Sequence, residues 1–307
     1  MNKKWISELA LLFVAFVWGA TFVVVQDAIQ TVPPFSFNAV RFGLAGIFLL
    51  AVYMIKKRNR MAAVMPSVIS GIVLGSCLFI GYTFQTVGLL YTTPSKAGFI
   101  TGLSVVMVPL LAVLFLKKRP RLLSVIGSIA AALGLYLLAV KGAAALSAGD
   151  LLVFICTFGF AFHIILTDRF TKHVSVLLVT AVQVLSVSVF SFAGAIWTEN
   201  WRNALSSHEL FRPNLVFALS VTAFLATAAA FFIQTIAQRY TSPTRVAIIL
   251  TMEPVFAALT SFVWLQERLS ITAAAGCLLI FTGMVLSELP NLFHFKKGFF
   301  SESRSKG

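Results

Sequence analysis

Glu253 stands near the middle of an apolar run, at 244–265, where a carboxyl group finds little water. An acidic side chain at such a depth costs about 2.5–3.5 kcal/mol on insertion scales, so it requires a cavity, a partner or a proton. Burial favours the protonated form of a carboxyl, so an acid that alternates between dry and wet surroundings can exchange protons. Glu253 is on this ground the candidate for proton coupling, and the competing reading is a neutral Glu held in helix packing. Its neighbour Pro254 has no amide proton and frees the carbonyl of Leu250, which predicts a bend and makes Pro254 a candidate hinge. Pro109 is the corresponding candidate in the first half of the chain.

Arg41 lies about seven residues into another apolar run. It can pair with a buried acid, with an anionic solute or with Asp27, or it can snorkel to the surface along its aliphatic stem. Gln85 and Gln234 offer amide donors and acceptors without fixed charge inside two further runs. They are candidates for a central site, and interhelical hydrogen bonding is the alternative, worth only about 0.6 kcal/mol on average. Trp18, Phe22 and Gln26 recur at i, i+4, i+8, and Tyr82 shares a helical face with Gln85, so both stripes are candidate cavity linings. Lipid-facing or core aromatics have the same spacing. His163 joins the candidates, with Gln183 behind it. Cys77, Cys156 and Cys277 sit in apolar segments without CxxC spacing, which argues against a disulfide or a metal site. No cofactor is expected.

The elements that must position these side chains are membrane helices. The 307 residues are 59% hydrophobic and 11% charged, with a mean hydropathy of +0.94, far from the composition of soluble domains. Apolar runs near 7–26, 35–55, 66–89, 95–116, 122–140, 150–168, 174–197, 214–238, 244–265 and 271–289 each approach the roughly 20 residues that cross a bilayer. The first, despite Lys3 and Lys4 before it, is too long for a signal peptide and lacks an A-x-A site, so it is read as a span. The net charge of +14 would suit nucleic acid, but the Lys and Arg residues cluster in short connectors such as 56–60 and 117–121 and in the tail. Counted on alternate sides, 18 fall on the side of the N-terminus and five on the other, with Arg41 inside a span. The positive-inside rule then puts both termini in the cytoplasm and makes nucleic acid an unnecessary partner.

The two halves align without a gap at an offset of 149 residues. Gln85-Thr86 falls on Gln234-Thr235, Tyr91-Thr92-Thr93-Pro94 on Tyr240-Thr241-Ser242-Pro243, and Leu116, Arg119, Gly127 and Gly134 on Leu265, Arg268, Gly276 and Gly283. Each copy holds five spans, an odd number, so the second is expected upside down relative to the first. The expected architecture is all-α and integral to the membrane, with ten transmembrane helices as two inverted five-helix repeats. The first repeat covers 1–145, the second 146–290, and a basic cytoplasmic tail 291–307. Thr93-Pro94 and Ser242-Pro243 predict sharp, capped helix starts. The Gly71/Gly75, Gly98/Gly102, Gly127/Gly134 and Gly276/Gly283 pairs predict close helix packing.

Trp18-Gly19-Ala20-Thr21-Phe22, Arg41-Phe42, Glu253-Pro254-Val255-Phe256-Ala257 and Glu267-Arg268 together resemble the EamA-type transporters of the drug/metabolite transporter superfamily, over almost the whole chain. The first half departs from the pattern, with Lys118 in the place of Glu267 and Pro109 four residues beyond the counterpart of Pro254. The resemblance implies a secondary carrier in the inner (cytoplasmic) membrane that effluxes amino acids, related metabolites or drug-like compounds, in exchange for protons. Its partners are the lipid bilayer, a small-molecule substrate and a proton, and a monomer or a homodimer fits equally. No P-loop is present, so the energy is expected from gradients. The rivals are a membrane-embedded lipid-modifying enzyme or lipid flippase and a scaffold. The enzyme lacks HExxH, GxSxG and paired carboxylates in this sequence, and the scaffold leaves the duplication and Glu253 without a role.

Overall fold

A computed structural model describes residues 3–56, 64–117, 121–139, 147–172, 174–265 and 270–288, and every regular element among them is helical. The connectors 57–63 and 118–120, the Glu267-Arg268 pair and the tail 291–307 lie outside the described residues. Helix α1 (Lys3–Thr31), α2 (Pro34–Lys56) and α3 (Val64–Gly88) are followed by α4 (Pro94–Gly102) and α5 (Ser104–Leu116), then α6 (Leu122–Ala139), α7 (Ala148–Phe170) and α8 (Val176–Thr198). The segment 199–212, expected as a plain loop, carries two four-residue helices, α9 (Trp201–Ala204) and α10 (Ser207–Leu210). Next come α11 (Pro213–Ser220), a π-helical stretch at Val221–Ala229, α12 (Ala230–Ala237), α13 (Pro243–Leu250), α14 (Met252–Leu265) and α15 (Ile271–Glu288).

Eight helices or helix pairs among the described residues are long and apolar enough to cross a membrane, and two shorter apolar helices lie at Leu122–Leu137 and Ile271–Ser287. Large apolar side chains such as Phe13, Ile47, Leu110, Leu114 and Val263 face outward, a surface that suits lipid rather than water.

The predicted caps form. Thr93 accepts from the amide of Lys96 and Ser242 from that of Arg245, each ahead of a proline at the first helical position. Small residues let backbones approach: a Cβ on Gly127 would stand 2.6 Å from the Gly283 carbonyl, and one on Gly134 2.6 Å from that of Gly276, so α6 and α15 pack through the matched glycines. Gly71 and Gly75 do the same against α8. Gly98 is the exception, since an added Cβ there would make only ordinary contacts at 3.7 Å.

The start of α2 is tied to the far end of α8. The Glu199 carboxylate accepts from the amides of Phe35 and Ser36 at 2.8 Å and from the Ser36 hydroxyl at 2.7 Å. It thus serves otherwise orphan donors in the first turn, where the helix dipole also favours negative charge. Glu199→Ala is expected to destabilise the protein by about 1–2 kcal/mol, read as a lower unfolding midpoint in detergent, whereas Leu151→Ala on the outer surface of α7 should leave the midpoint unchanged.

Only one of the two expected proline bends coincides with an interruption of its helix. In the second half the helix is interrupted at Thr251, three residues before Pro254, so the proline sits in the first turn of α14, where its missing N–H is no loss. In the first half the interruption is at Leu103, where i→i+3 bonds replace the α pattern (Leu103 N to Ile100 O and Val106 N to Leu103 O, both 3.0 Å). Helix α5 runs unbroken through Pro109. The two interruptions lie within one residue of each other at the offset of 149.

Candidate functional site

A central cavity is bordered by α1, α2, α3, α7, α12 and the two interrupted helices, with about 70 Å³ open to the centres of water molecules. At roughly 10–15 Å³ per water, that is room for a few waters or one small solute group. Of the residues singled out in the sequence, Trp18, Phe22, Arg41, Tyr82 and Gln85 border it from the first half. His163, Gln234, Glu253 and Pro254 border it from the second.

Gln26 does not. At 3.6 residues per turn, each residue turns the helix face by about 100°. Thr21, Phe22 and Val25 stay on the side of Trp18, while Gln26 swings past it and donates instead to the Thr92 carbonyl at 3.3 Å. Pro109 is likewise outside the cavity, buried within α5.

Arg41 does not reach the surface or Asp27. It is 3% exposed, its Nε donates to Thr227 Oγ1 at 2.8 Å, and its guanidinium carbon lies 5.2 Å from both the Phe42 and Tyr82 ring centres. Trp18 Nε1 donates to the Ala226 carbonyl at 2.8 Å. Ala226 and Thr227 both belong to the π-helical stretch, so the widened turn anchors the indole and the guanidinium side by side. Phe231 forms the hub of the aromatic wall, with ring centres 5.3 Å from Trp18, 6.0 Å from Tyr82 and 5.8 Å from His163.

The polar residues fall into two chains. Gln85 Nε2 donates to Thr101 Oγ1 at 3.2 Å, and that hydroxyl lies 3.7 Å from Cys156 Sγ. His163 Nε2 stands 3.1 Å from Gln183 Oε1, whose amide nitrogen donates to Thr235 Oγ1 at 3.4 Å. Gln234 is different: its Oε1 is sealed from water and has no hydrogen-bond partner. Glu253, in the first turn of α14, forms no hydrogen bond or ion pair with a described residue. Its backbone is held by α1, since any Cβ on Gly19 would overlap the Glu253 carbonyl.

An ion pair joins the halves at each end of the cavity. At one end Lys96 of α4 stands 3.6 Å from Asp150 of α7, whose carboxylate also accepts from Thr92 Oγ1 and the Ser147 amide. At the other, Arg245 of α13 stands 3.2 Å from Glu8 of α1, which Lys4 also approaches at 3.3 Å. Lys96 and Arg245 are themselves 149 residues apart, each in the first turn of an interrupted helix.

The EamA-like transporter family model matches this chain twice, over residues 5–140 and 147–289. The chain belongs to the EamA-like transporter family. It is 32% identical over 287 residues to an uncharacterized transporter of Archaeoglobus fulgidus, covering 94% of this chain and 87% of that one. It is 24% identical over 288 residues to the uncharacterized transporter YvbV of Bacillus subtilis, covering 91% and 90%. A solved crystal structure with 20% identity superposes at a TM-score of 0.73 over 92% of this chain and 97% of its own, a likeness of fold. The chain is a multi-pass membrane protein of a transporter family.

Within this EamA-like fold, several cavity residues had not been singled out: Thr21, Thr101, Ser104, Phe160 and Phe231. Two of them carried a signal in the duplication, since Phe231 falls on Tyr82 and Ser104 on Glu253 at the offset of 149. Thr21 lies within the Trp18-Gly19-Ala20-Thr21-Phe22 motif, and Thr101 and Phe160 had no signal beyond helical phase.

Proposed function

We propose that the protein is a secondary transporter that carries small metabolites, amino acids and related or drug-like compounds among them, out across the cytoplasmic membrane. In this reading ten transmembrane helices form two inverted five-helix repeats with both termini in the cytoplasm. The halves rock about the central cavity to expose it alternately to either face, and Glu253 exchanges a proton for the solute. The observation that carries the reading is a cavity bordered from both halves by helices interrupted at equivalent positions. Broken helices are tolerated at membrane depth where they line a cavity. The double match of the family model and the ion pairs between halves at both cavity ends support it further. Gln85, Gln234 and His163 serve as solute-facing polar groups, and Trp18, Phe22 and Tyr82 as the apolar walls.

The test is counterflow in proteoliposomes: vesicles preloaded with single metabolites, with trace label outside, should accumulate label transiently for at least one solute and not in protein-free vesicles. If no soluble compound moves while a labelled lipid changes leaflet, or a lipid product appears, a flippase or a lipid enzyme takes the place of this reading.

A further inference from the structure

We infer that Arg41 is the anion seat of the cavity, so that the solute carries a carboxylate bound by the guanidinium; this narrows, and rests on, the transporter reading above. The observation is a buried positive charge with only neutral company. The described contacts of the side chain are the Thr227 hydroxyl, the Tyr82 hydroxyl and the faces of two aromatic rings. No carboxylate lies within ion-pair distance among the described residues. Neither terminal nitrogen is both sealed from water and without a hydrogen-bond partner, and the residue borders the cavity.

A buried guanidinium without a counter-charge is costly, and here the empty side of the group is the cavity itself. Its planar fork presents two parallel N–H donors that match the two oxygens of a carboxylate. A singly charged carboxylate also fits the charge balance better than a doubly charged phosphate. The cavity border offers one guanidinium, and beside Tyr82 and His163 it also holds an acid, Glu253. The aromatic wall made by Trp18, Tyr82, Phe160 and Phe231 receives the apolar body of such a solute.

The experiment uses three probes with one aromatic body and different ends: 3-phenylpropanoate, 3-phenylpropanamide and 3-phenylpropylamine. Binding to the purified full-length protein in detergent is read as the rise of the unfolding midpoint with probe concentration. The carboxylate is expected to bind about tenfold or more tightly than its amide, a preference of about 1.4 kcal/mol. Arg41→Gln should erase that preference while leaving amide affinity unchanged, and Arg41→Lys should restore part of it. Equal affinity for carboxylate and amide, or a preference that survives Arg41→Gln, overturns the inference. Should Arg41→Gln not fold, maleimide labelling of Ser104→Cys in a protein with the three native cysteines replaced gives a readout with Arg41 intact. The carboxylate should slow that labelling at concentrations where the amide does not, and equal protection by both overturns the seat. Because neither readout requires transport, failed counterflow with an intact carboxylate preference removes the transporter reading alone. Counterflow of a neutral or cationic solute that is indifferent to Arg41→Gln removes the seat alone.

Discussion

Glu253→Gln is expected to abolish the acceleration of transport by a pH gradient while leaving solute counterflow in place. The carboxyl lies in the first turn of α14 beside the interruption at Thr251, borders the cavity and is served by no described donor. A group so placed is either protonated, wetted or matched by the solute, and its state changes as the cavity opens and closes. Gln reproduces the protonated carboxyl in size and lacks the proton to release. Exchange of one solute molecule for another requires no net proton step, so counterflow should survive within about threefold. Net flux driven by a tenfold proton gradient, worth about 1.4 kcal/mol per proton, should fall to the rate seen without a gradient. The assay compares the two modes in the same proteoliposomes. A variant that keeps its full response to the gradient places the coupling group elsewhere.

The second large effect concerns the two end closures. Glu8 and Arg245 are each 5% exposed at the side chain, whereas Lys96 of the other pair is 21% exposed. Removing one partner of a buried pair leaves the other charge unmatched, at about 3–5 kcal/mol. A partly exposed pair is worth about 1 kcal/mol or less. Glu8→Gln should therefore shift the balance between the two cavity states by more than tenfold toward the state open at the end of the N-terminus. Asp150→Asn should shift it tenfold or less toward the opposite state. The Glu8 end also holds sealed polar atoms without described partners, namely Glu8 Oε2, Thr241 Oγ1 and both amide atoms of Gln238, the kind of lining that water enters once the closure parts. Labelling of Ser104→Cys by an impermeant maleimide, from either face of oriented vesicles, reports the shift. Changes in opposite directions fit the account, and changes on the same face for both variants contradict it.

How much of this was legible in the sequence depended on whether a feature was local. Thr93-Pro94 and Ser242-Pro243 predicted their caps because a cap needs only the hydroxyl, the proline and the next turn. The offset of 149 residues brought Gln85 and Gln234 forward as a pair, and both border one cavity. Interruption of the helices was a different matter. Pro109 drew attention to the wrong turn, because a proline loosens one bond of a helix that its neighbours can still hold straight, while the break at Leu103 follows Gly102, which was read only for its packing. The π-helical stretch reads as ordinary helix in Val221-Thr222-Ala223-Phe224-Leu225; its sign is tertiary, in what Trp18 and Arg41 reach for. Among 30 phenylalanines, composition could not single out Phe160 and Phe231. Arg41 looked able to snorkel because sequence shows its stem and not the rings of Tyr82 and Phe42 that hold its head.

The most direct test of the antiparallel halves uses Tyr91 and Tyr240, which correspond at the offset of 149 and are exposed at the turns before α4 and α13. In a protein without its three native cysteines, Tyr91→Cys and Tyr240→Cys are labelled singly with an impermeant maleimide in intact cells and in inverted vesicles. The account predicts Tyr91→Cys labelled only in intact cells and Tyr240→Cys only in inverted vesicles. Labelling of both positions from one face would contradict it.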